Sequence, residues 1–201
     1  MPRSKTQALR TLIHGGKTEM IKLTSPVNPE EVKKLRAGDV VLISGVIYTG
    51  RDAAHKRLCE LLAKGEQLPI DVEGSIIYYV GPTPAKPGRA IGSAGPTSSY
   101  RMDAYSEPLM QQGLKVMVGK GSRSEEYKKQ LQKYGAVYLS AIGGAAASIS
   151  ETITTCEVVT YEDLGAEAIH RLEVEDFYAI VTYDSVGNDL LQQGMETYRK
   201  D

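Results

Sequence analysis

Apolar positions along the chain follow two periods in turn, which predicts strands alternating with helices. Short apolar or β-branched runs, typical of strands, occupy residues 20–24, 39–48, 75–80, 114–118, 136–141, 156–160 and 177–183. Helices are predicted after Asn28 and ended by Gly38, from Asp52, after Ser99, at about 124–134 and around 168–172. The alternation favours an α/β fold, and 201 residues are about the length of a single compact domain.

Three stretches depart from this pattern. Residues 1–19 are basic and polar and lack the apolar core of a signal peptide. We interpret them as a flexible or partner-contacting extension to a domain at 20–201. Residues 81–96 are rich in proline and glycine, which predicts a long loop of the kind that is often functional. The small residues at 143–147 predict close packing or close approach of the backbone to a ligand.

Charge and cysteine content narrow the chemistry. The chain has 24 Lys and Arg against 25 Asp and Glu, so any anion site must be local. Cys59 and Cys156 form no Cys-x-x-Cys pair and no cluster with histidines, so the chain does not carry the ligand set of typical zinc or iron-sulfur sites. The position of both thiols is more typical of buried packing. Two cysteines and no apolar stretch of about 20 residues favour a cytoplasmic protein.

Three segments place cations, hydroxyls and glycine after predicted strands, where open α/β sheets bind ligands. In the first, residues 49–55, Arg51 lies just before a helix start and His55 lies one turn later. Free backbone N–H groups at that helix start suit an anion. The alternative is that Arg51 pairs with Asp52 or another surface carboxylate, while His55 is a satisfied helix residue.

The second segment, residues 95–103, combines three hydroxyls and a cation: Thr97, Ser98, Ser99 and Arg101. Helix capping by Ser or Thr, with Arg101 bridging to Asp103 or Glu107, would explain these residues without a ligand. The third segment is Lys120 between two glycines, at the end of a buried strand. Its alternative is a solvated turn lysine.

Five motifs occur in one order: GRDAAHKR at 50–57, GPT with RMD within 95–103, GKG at 119–121, GGAA at 143–146 and YEDLG at 161–165. Together they resemble the beta subunit of class I, iron-sulfur fumarate hydratase, and the closely similar beta subunit of L-tartrate dehydratase. The resemblance covers about residues 20–191. It implies the swivelling β/β/α domain of that family, a variant of the α/β fold.

The resemblance also implies roles for the candidate residues. Arg51, Arg101 and Lys120 would bind a dicarboxylate substrate, and Thr97 would be the base that moves a proton next to a carboxylate. His55 would hold Arg51 in place or contact the substrate. The family often has two threonines after Gly-Pro, whereas the second position here is Ser98. The sequence therefore leaves the base open among Thr97, Ser98 and Ser99.

The cofactor implied by the resemblance lies outside this chain. In this family three cysteines of a separate alpha subunit or N-terminal domain hold a 4Fe-4S cluster, and one iron stays open to take the hydroxyl. This chain would then be the beta subunit of a fumarate hydratase that interconverts fumarate and (S)-malate, in an alpha2beta2-type hetero-oligomer. Two alternatives remain. In the first, the substrate would be tartrate or a methyl-substituted fumarate. In the second, the chain would be a non-catalytic subunit that binds anions or acts as a scaffold.

Overall fold

The computed structural model describes residues 20–141 and 146–199, which form seven strands and several helices. The strands are β1 (Ile21–Ser25), β2 (Val40–Thr49), β3 (Ile76–Tyr78), β4 (Val116–Gly119), β5 (Val137–Ser140), β6 (Ile153–Thr160) and β7 (Ile169–Tyr183). The α-helices are α1 (Pro29–Val32), α2 (Asp52–Ala63), α3 (Asp103–Gln111), α4 (Glu125–Tyr134), α5 (Ala146–Ser150) and α6 (Leu190–Tyr198). Short 3-10 helices span Ser99–Met102 and Glu162–Glu167.

The seven strands form one mixed sheet in the order β1-β2-β3-β4-β5-β7-β6. Strands β1 to β5 pair in parallel, whereas β7 is antiparallel to its neighbours. The 15-residue β7 also pairs with β2. Because β7 contacts both β5 and β2, the strands β2, β3, β4, β5 and β7 close into a barrel. The predicted α/β class and single domain are confirmed.

Side chains along each strand point alternately to opposite faces, so the barrel has two apolar clusters. One cluster fills the inside and includes Tyr78, Val118 and Leu139. The other includes the intervening residues Met117 and Tyr138 and packs beneath α2, α3 and α4. The helices therefore cover the outer face of the parallel strands.

The parallel strands end at one edge of the sheet. The residues that follow β2, β3 and β4 are Gly50, Tyr79 and Lys120. The bridge between Ser98 and Lys120 brings the loop after β3 to the end of β4. The barrel thus gathers the three segments predicted to bind a ligand, at the edge where the parallel-sheet rule places them.

Two sequence predictions need correction. The predicted helix around residues 168–172 is wrong, because Ile169 begins the long strand β7. The helix after Asn28 ends at Val32 rather than at Gly38, since Leu35 already turns into the core and the Gly38 N–H donates to the Val181 carbonyl in the barrel.

The other predicted elements are found near their expected places. No helix or strand is described within residues 81–96, as their proline and glycine content predicts. Cys156 lies inside β6 rather than at its start. Residues 1–19 and most of the small-residue run at 143–147 lie outside the described residues. Within the described ranges, no helix is both long enough and apolar enough to cross a membrane.

Candidate active site

Arg51 follows β2 and has an extended backbone just before α2. Its guanidinium Nη2 lies 3.3 Å from Glu167 Oε1, and the two side chains are about one quarter exposed. A Cβ atom at Gly81 would lie 2.8 Å from Arg51 Nη1, so only glycine lets the arginine lie across this backbone. The partner of Arg51 is therefore Glu167 rather than the neighbouring Asp52.

His55 lies on the first turns of α2 and is fully buried. Its Nδ1 is 2.9 Å from the Arg51 carbonyl oxygen, and its ring meets Tyr79 edge-on at 5.2 Å. Burial lowers the pKa of His55 to about 4, although the bond to the Arg51 carbonyl opposes the shift. The neutral ring donates its Nδ1 proton to that carbonyl, so His55 lies beneath Arg51 rather than at the surface of the site.

The buried histidine predicts a pH-dependent stability. An unfolded chain takes up a proton on His55 below pH 6.5, whereas the folded chain takes it up only near pH 4. Stability is therefore lost as the pH falls from about 6.5 to about 4, by roughly 3 kcal/mol from this residue. Urea unfolding of wild type and His55→Gln at several pH values checks this. We expect a shallower pH dependence in the variant, and parallel curves would contradict the assignment.

Thr97 and Arg101 come together on the loop after β3. The Thr97 N–H donates to the Tyr79 carbonyl at 2.8 Å, which ties this loop to the sheet edge. Arg101 Nη2 donates to Thr97 Oγ1 at 3.1 Å, and Arg101 Nη1 lies 2.8 Å from Asp52 Oδ2. A continuous chain of contacts thus runs from carboxylate to guanidinium to hydroxyl.

The ion pairs of this segment differ from those of the capping alternative, in which Arg101 would bridge to Asp103 or Glu107. Asp103 pairs with Arg123, and Glu107 pairs with Lys133 at 2.9 Å. Both carboxylates that the sequence offered to Arg101 are thus engaged elsewhere. Among the described contacts, Ser98 at the N-cap position makes no side-chain cap bond. Capping therefore does not account for the three hydroxyls.

The three hydroxyls have different surroundings. Ser99 is fully buried, and its Oγ accepts from the Lys120 N–H at 3.0 Å and from the Tyr138 hydroxyl at 2.9 Å. A Cβ atom at Gly119 would lie 2.0 Å from that oxygen, so the strand end must be glycine there. Ser98 is exposed, whereas Thr97 is half-buried against the Arg101 guanidinium. Thr97 is the hydroxyl of the three that a cation contacts.

Lys120 lies at the end of β4, beside the segment that carries Thr97 and Arg101. Its backbone is fixed by hydrogen bonds with Ser99 in both directions, while the residue itself is exposed. Among residues 20–141 and 146–199, no carboxylate forms an ion pair with its ammonium. The predicted cations at this sheet edge, Arg51, Arg101 and Lys120, outnumber the carboxylates Asp52 and Glu167 that pair with the two arginines. The edge thus offers a net positive charge to an anionic ligand.

Comparison with known proteins identifies the family. The family model described as the fumarase C-terminus matches residues 1–194. The chain belongs to the fumarase C-terminus family. The predicted resemblance is confirmed.

This chain matches different shares of the length of its named relatives. The aerobic class I fumarate hydratase of Escherichia coli strain K12 is 44% identical over 153 residues, which are 75% of this chain and 28% of that protein. "Fumarate hydratase 1, mitochondrial" of Leishmania major is 38% identical over 179 residues, 87% of this chain and 32% of that protein. The "Putative L(+)-tartrate dehydratase subunit beta" of Methanocaldococcus jannaschii is 39% identical over 170 residues, 82% of this chain and 87% of that protein. The chain thus spans about a third or less of the fumarate hydratases, but most of the archaeal subunit.

Three charged residues at or beneath the candidate site were not predicted from the sequence as part of it: Asp52, Glu167 and Arg123. The sequence alternative pairs Arg51 with Asp52 or another surface carboxylate, and in the structure that partner is Glu167, whereas Asp52 pairs with Arg101. Glu167 is the last residue of the 3-10 helix that follows Tyr161. The YEDLG motif was the sequence signal that could have indicated Glu167. Its Asp163 forms an ion pair with Arg57 of α2, which fixes the 3-10 helix against α2.

The described residues do not fit an iron-sulfur cluster. No group of three or more His, Cys, Asp and Glu side chains among residues 20–141 and 146–199 is arranged to hold a metal ion. Cys59 and Cys156 are each half-buried, and burial raises the pKa of both thiols. The Cys59 thiol donates to the Tyr105 carbonyl at 3.4 Å, and Cys156 packs against the inner barrel cluster. Both behave as packing residues rather than as thiolate ligands.

Proposed function

We propose that this chain is the beta subunit of a two-subunit iron-sulfur hydro-lyase that interconverts fumarate and (S)-malate. The observation that carries the proposal is that the Arg101 guanidinium donates to the Thr97 hydroxyl at 3.1 Å, at the sheet edge where the segments of Arg51 and Lys120 also lie. The relatives named fumarate hydratase support the substrate.

The chemistry explains why such a reaction needs these residue types. Dehydration of malate begins with removal of a weakly acidic proton from the carbon next to a carboxylate. The resulting aci-carboxylate dianion needs preorganised positive charge in place of water. Arg51 and Arg101 can each bind a carboxylate through two nitrogens, and Lys120 adds a compact charge. The absence of a carboxylate partner for Lys120 in the described residues supports its availability to substrate.

Thr97 is the proposed base. A threonine hydroxyl is normally far too weak an acid to become an alkoxide, so the role requires adjacent positive charge. Arg101 supplies it directly, because its Nη2 proton points at Thr97 Oγ1 and would stabilise negative charge there. Ser99 is a poorer candidate, since its buried oxygen already receives two hydrogen bonds. Ser98 is exposed and serves as the natural control.

His55 and the carboxylates have supporting roles in this proposal. The buried His55 ring holds the Arg51 backbone through its Nδ1. Asp52 and Glu167 each bind one arginine in the absence of substrate. Substrate carboxylates would add to these contacts, because both guanidinium groups remain partly exposed.

The cluster belongs to a partner in this proposal. The described residues do not fit a cluster, so an alpha subunit with the cysteine ligands would bring the 4Fe-4S group. The archaeal relative supports separate subunits, because its name says subunit beta and this chain covers 87% of it. The proposal also includes an alpha2beta2-type assembly and the swivelling β/β/α arrangement. It places the catalytic domain at 20–201 and the protein in the cytoplasm. What this chain contributes is binding of the dicarboxylate and movement of the proton at Thr97.

A tartrate dehydratase is the second candidate, and the same archaeal relative favours it. Its chemistry would use the same cations and hydroxyl, so only substrate preference separates the two. A non-catalytic anion-binding subunit differs more sharply, because it would bind dicarboxylate without turning it over.

Coexpression with a cluster-bearing alpha subunit tests these candidates. We expect turnover of fumarate and malate by the assembly, with kcat/KM on tartrate at least about tenfold lower. Lys120→Met should raise KM for fumarate by about tenfold or more, because it removes a substrate charge. The matched control is Lys86→Met, an exposed lysine in the proline-rich loop, which should change nothing. Turnover of tartrate alone would select the second candidate, and dicarboxylate binding without turnover would select the scaffold.

A further inference from the structure

Asp52 poses an electrostatic problem for the proposed site. Its carboxylate lies 2.8 Å from Arg101 Nη1, at the place where a dianionic substrate should bind. A fixed negative charge there repels substrate carboxylates and neutralises part of the arginine. A site selected only for anion affinity would therefore be better without it.

The contacts of Arg101 indicate what the carboxylate does. One terminal nitrogen, Nη1, binds Asp52, and the other, Nη2, donates to Thr97 Oγ1. Because a guanidinium is planar, fixing one nitrogen fixes the direction of the other. Asp52 itself is held by its place as the first residue of α2. Arg101 therefore has its donor directed at the hydroxyl before any substrate arrives.

Arg51 offers an internal comparison. It also pairs with a carboxylate, Glu167, but the described residues show no bond from Arg51 to Thr97. The two acid–arginine pairs thus have similar charge and exposure, and only one of them includes the proposed base.

We infer that Asp52 is a positioning residue that directs Arg101 at Thr97, at the expense of substrate affinity. This inference rests on the proposed function. It assigns opposite signs to two measurable quantities, since the carboxylate weakens binding of the dianion but supports proton movement at Thr97. A residue that only stabilised the fold would not separate them.

Two substitutions at Asp52, in the enzyme assembled with its alpha subunit, test the inference. Asp52→Asn keeps an oxygen for Arg101 Nη1 and removes the charge, so KM for fumarate should fall about fivefold with kcat within about threefold of wild type. Asp52→Ala removes the contact as well, so kcat should fall about 30-fold. Glu60→Ala is the matched control, because this carboxylate on the same helix is exposed and pairs only loosely with Lys56 at 3.9 Å, and it should leave both KM and kcat within about threefold.

The outcomes are distinct from failure of the proposed function. If wild type turns over fumarate, an unchanged or raised KM in Asp52→Asn, or an unchanged kcat in Asp52→Ala, overturns the role of Asp52. If wild type turns over no dicarboxylate, the proposed function fails. In that case, calorimetric binding of succinate to the assembly still tests the charge effect. Asp52→Asn should bind succinate about fivefold more tightly than wild type, and equal or weaker binding contradicts the inference.

Discussion

Replacing Thr97 with alanine should lower kcat for fumarate hydration by about 10³-fold in the assembled enzyme, which is the rate loss expected when a general base is removed. Ser98→Ala should leave kcat within about threefold. The difference is expected because the Thr97 hydroxyl bonds to Arg101, whereas Ser98 is exposed. Steady-state kinetics of both variants, with cluster content measured in each preparation, check the prediction. Equal losses in both variants would contradict the assignment of the base.

A conservative substitution separates the hydroxyl from the side-chain shape. Thr97→Ser retains an oxygen at the same position, so it should recover most of the activity that Thr97→Ala loses. Ser99→Ala is not a comparable control, since it would remove the acceptor of both the Lys120 N–H and the buried Tyr138 hydroxyl. Its loss would combine stability with chemistry.

The alternation of periods was sufficient to predict the parallel strands but not the closure of the barrel. Runs such as 114–118 are short, apolar and bounded by glycine, so local sequence decides their conformation. Residues 168–172 have spacing that suits a helix face equally well. In the structure, Ile169 and Leu172 instead pair with β6, and Leu172 also pairs with Ile47 of β2. Pairing between segments so far apart along the chain is a tertiary effect that local periodicity does not contain.

The candidate site shows the same division. The segments that carry Arg51, Thr97, Arg101 and Lys120 follow strands that end at the shared edge, so their proximity was predicted, while their roles stay a prediction. Their acidic partners were not predicted. Adjacent residues 51 and 52 suggested an ion pair, but Arg51 has an extended backbone while Asp52 begins a helix. The two side chains therefore diverge, one towards Glu167 and the other towards Arg101.

Arg123 lies beneath this site in a cage of aromatic rings. Its side chain is fully buried, with Nε bonded to the Asp103 carboxylate. Its guanidinium carbon lies 3.4 Å from the centre of the Tyr127 ring and 4.7 Å from that of Tyr138. Among the described residues, its two terminal nitrogens have no hydrogen-bond acceptor, so ring faces take the place of water around the charge.

This cage supports the segment that carries Arg101. Asp103 begins α3 directly after the 3-10 helix Ser99–Met102, and its second oxygen accepts from the Ser124 N–H at 2.8 Å. The Tyr138 ring faces the Arg123 guanidinium, and its hydroxyl donates a hydrogen bond to Ser99. Both ends of the 3-10 helix are therefore anchored to groups that touch Arg123. Loss of the arginine should loosen the site as well as the core.

Replacing Arg123 with methionine should reduce the free energy of unfolding by about 4 kcal/mol, because removal of one partner leaves the other charge poorly compensated in the interior. Urea unfolding of the full chain, with and without the substitution, measures the effect. The control is Lys129→Met on α4, where the lysine is largely exposed and pairs only loosely with Glu126, so no measurable change is expected. A loss in Arg123→Met below about 1 kcal/mol would mean that the cage is not structural.

The double variant Arg123→Met with Asp103→Asn separates charge from packing. If the orphaned Asp103 carboxylate causes most of the loss, its neutralisation in the double variant should restore about half of the stability. Asp103→Asn alone should be destabilising, since it leaves the buried guanidinium without its counter-ion. Additive losses in the double variant would instead assign the effect to contacts between the guanidinium and the rings of Tyr127 and Tyr138.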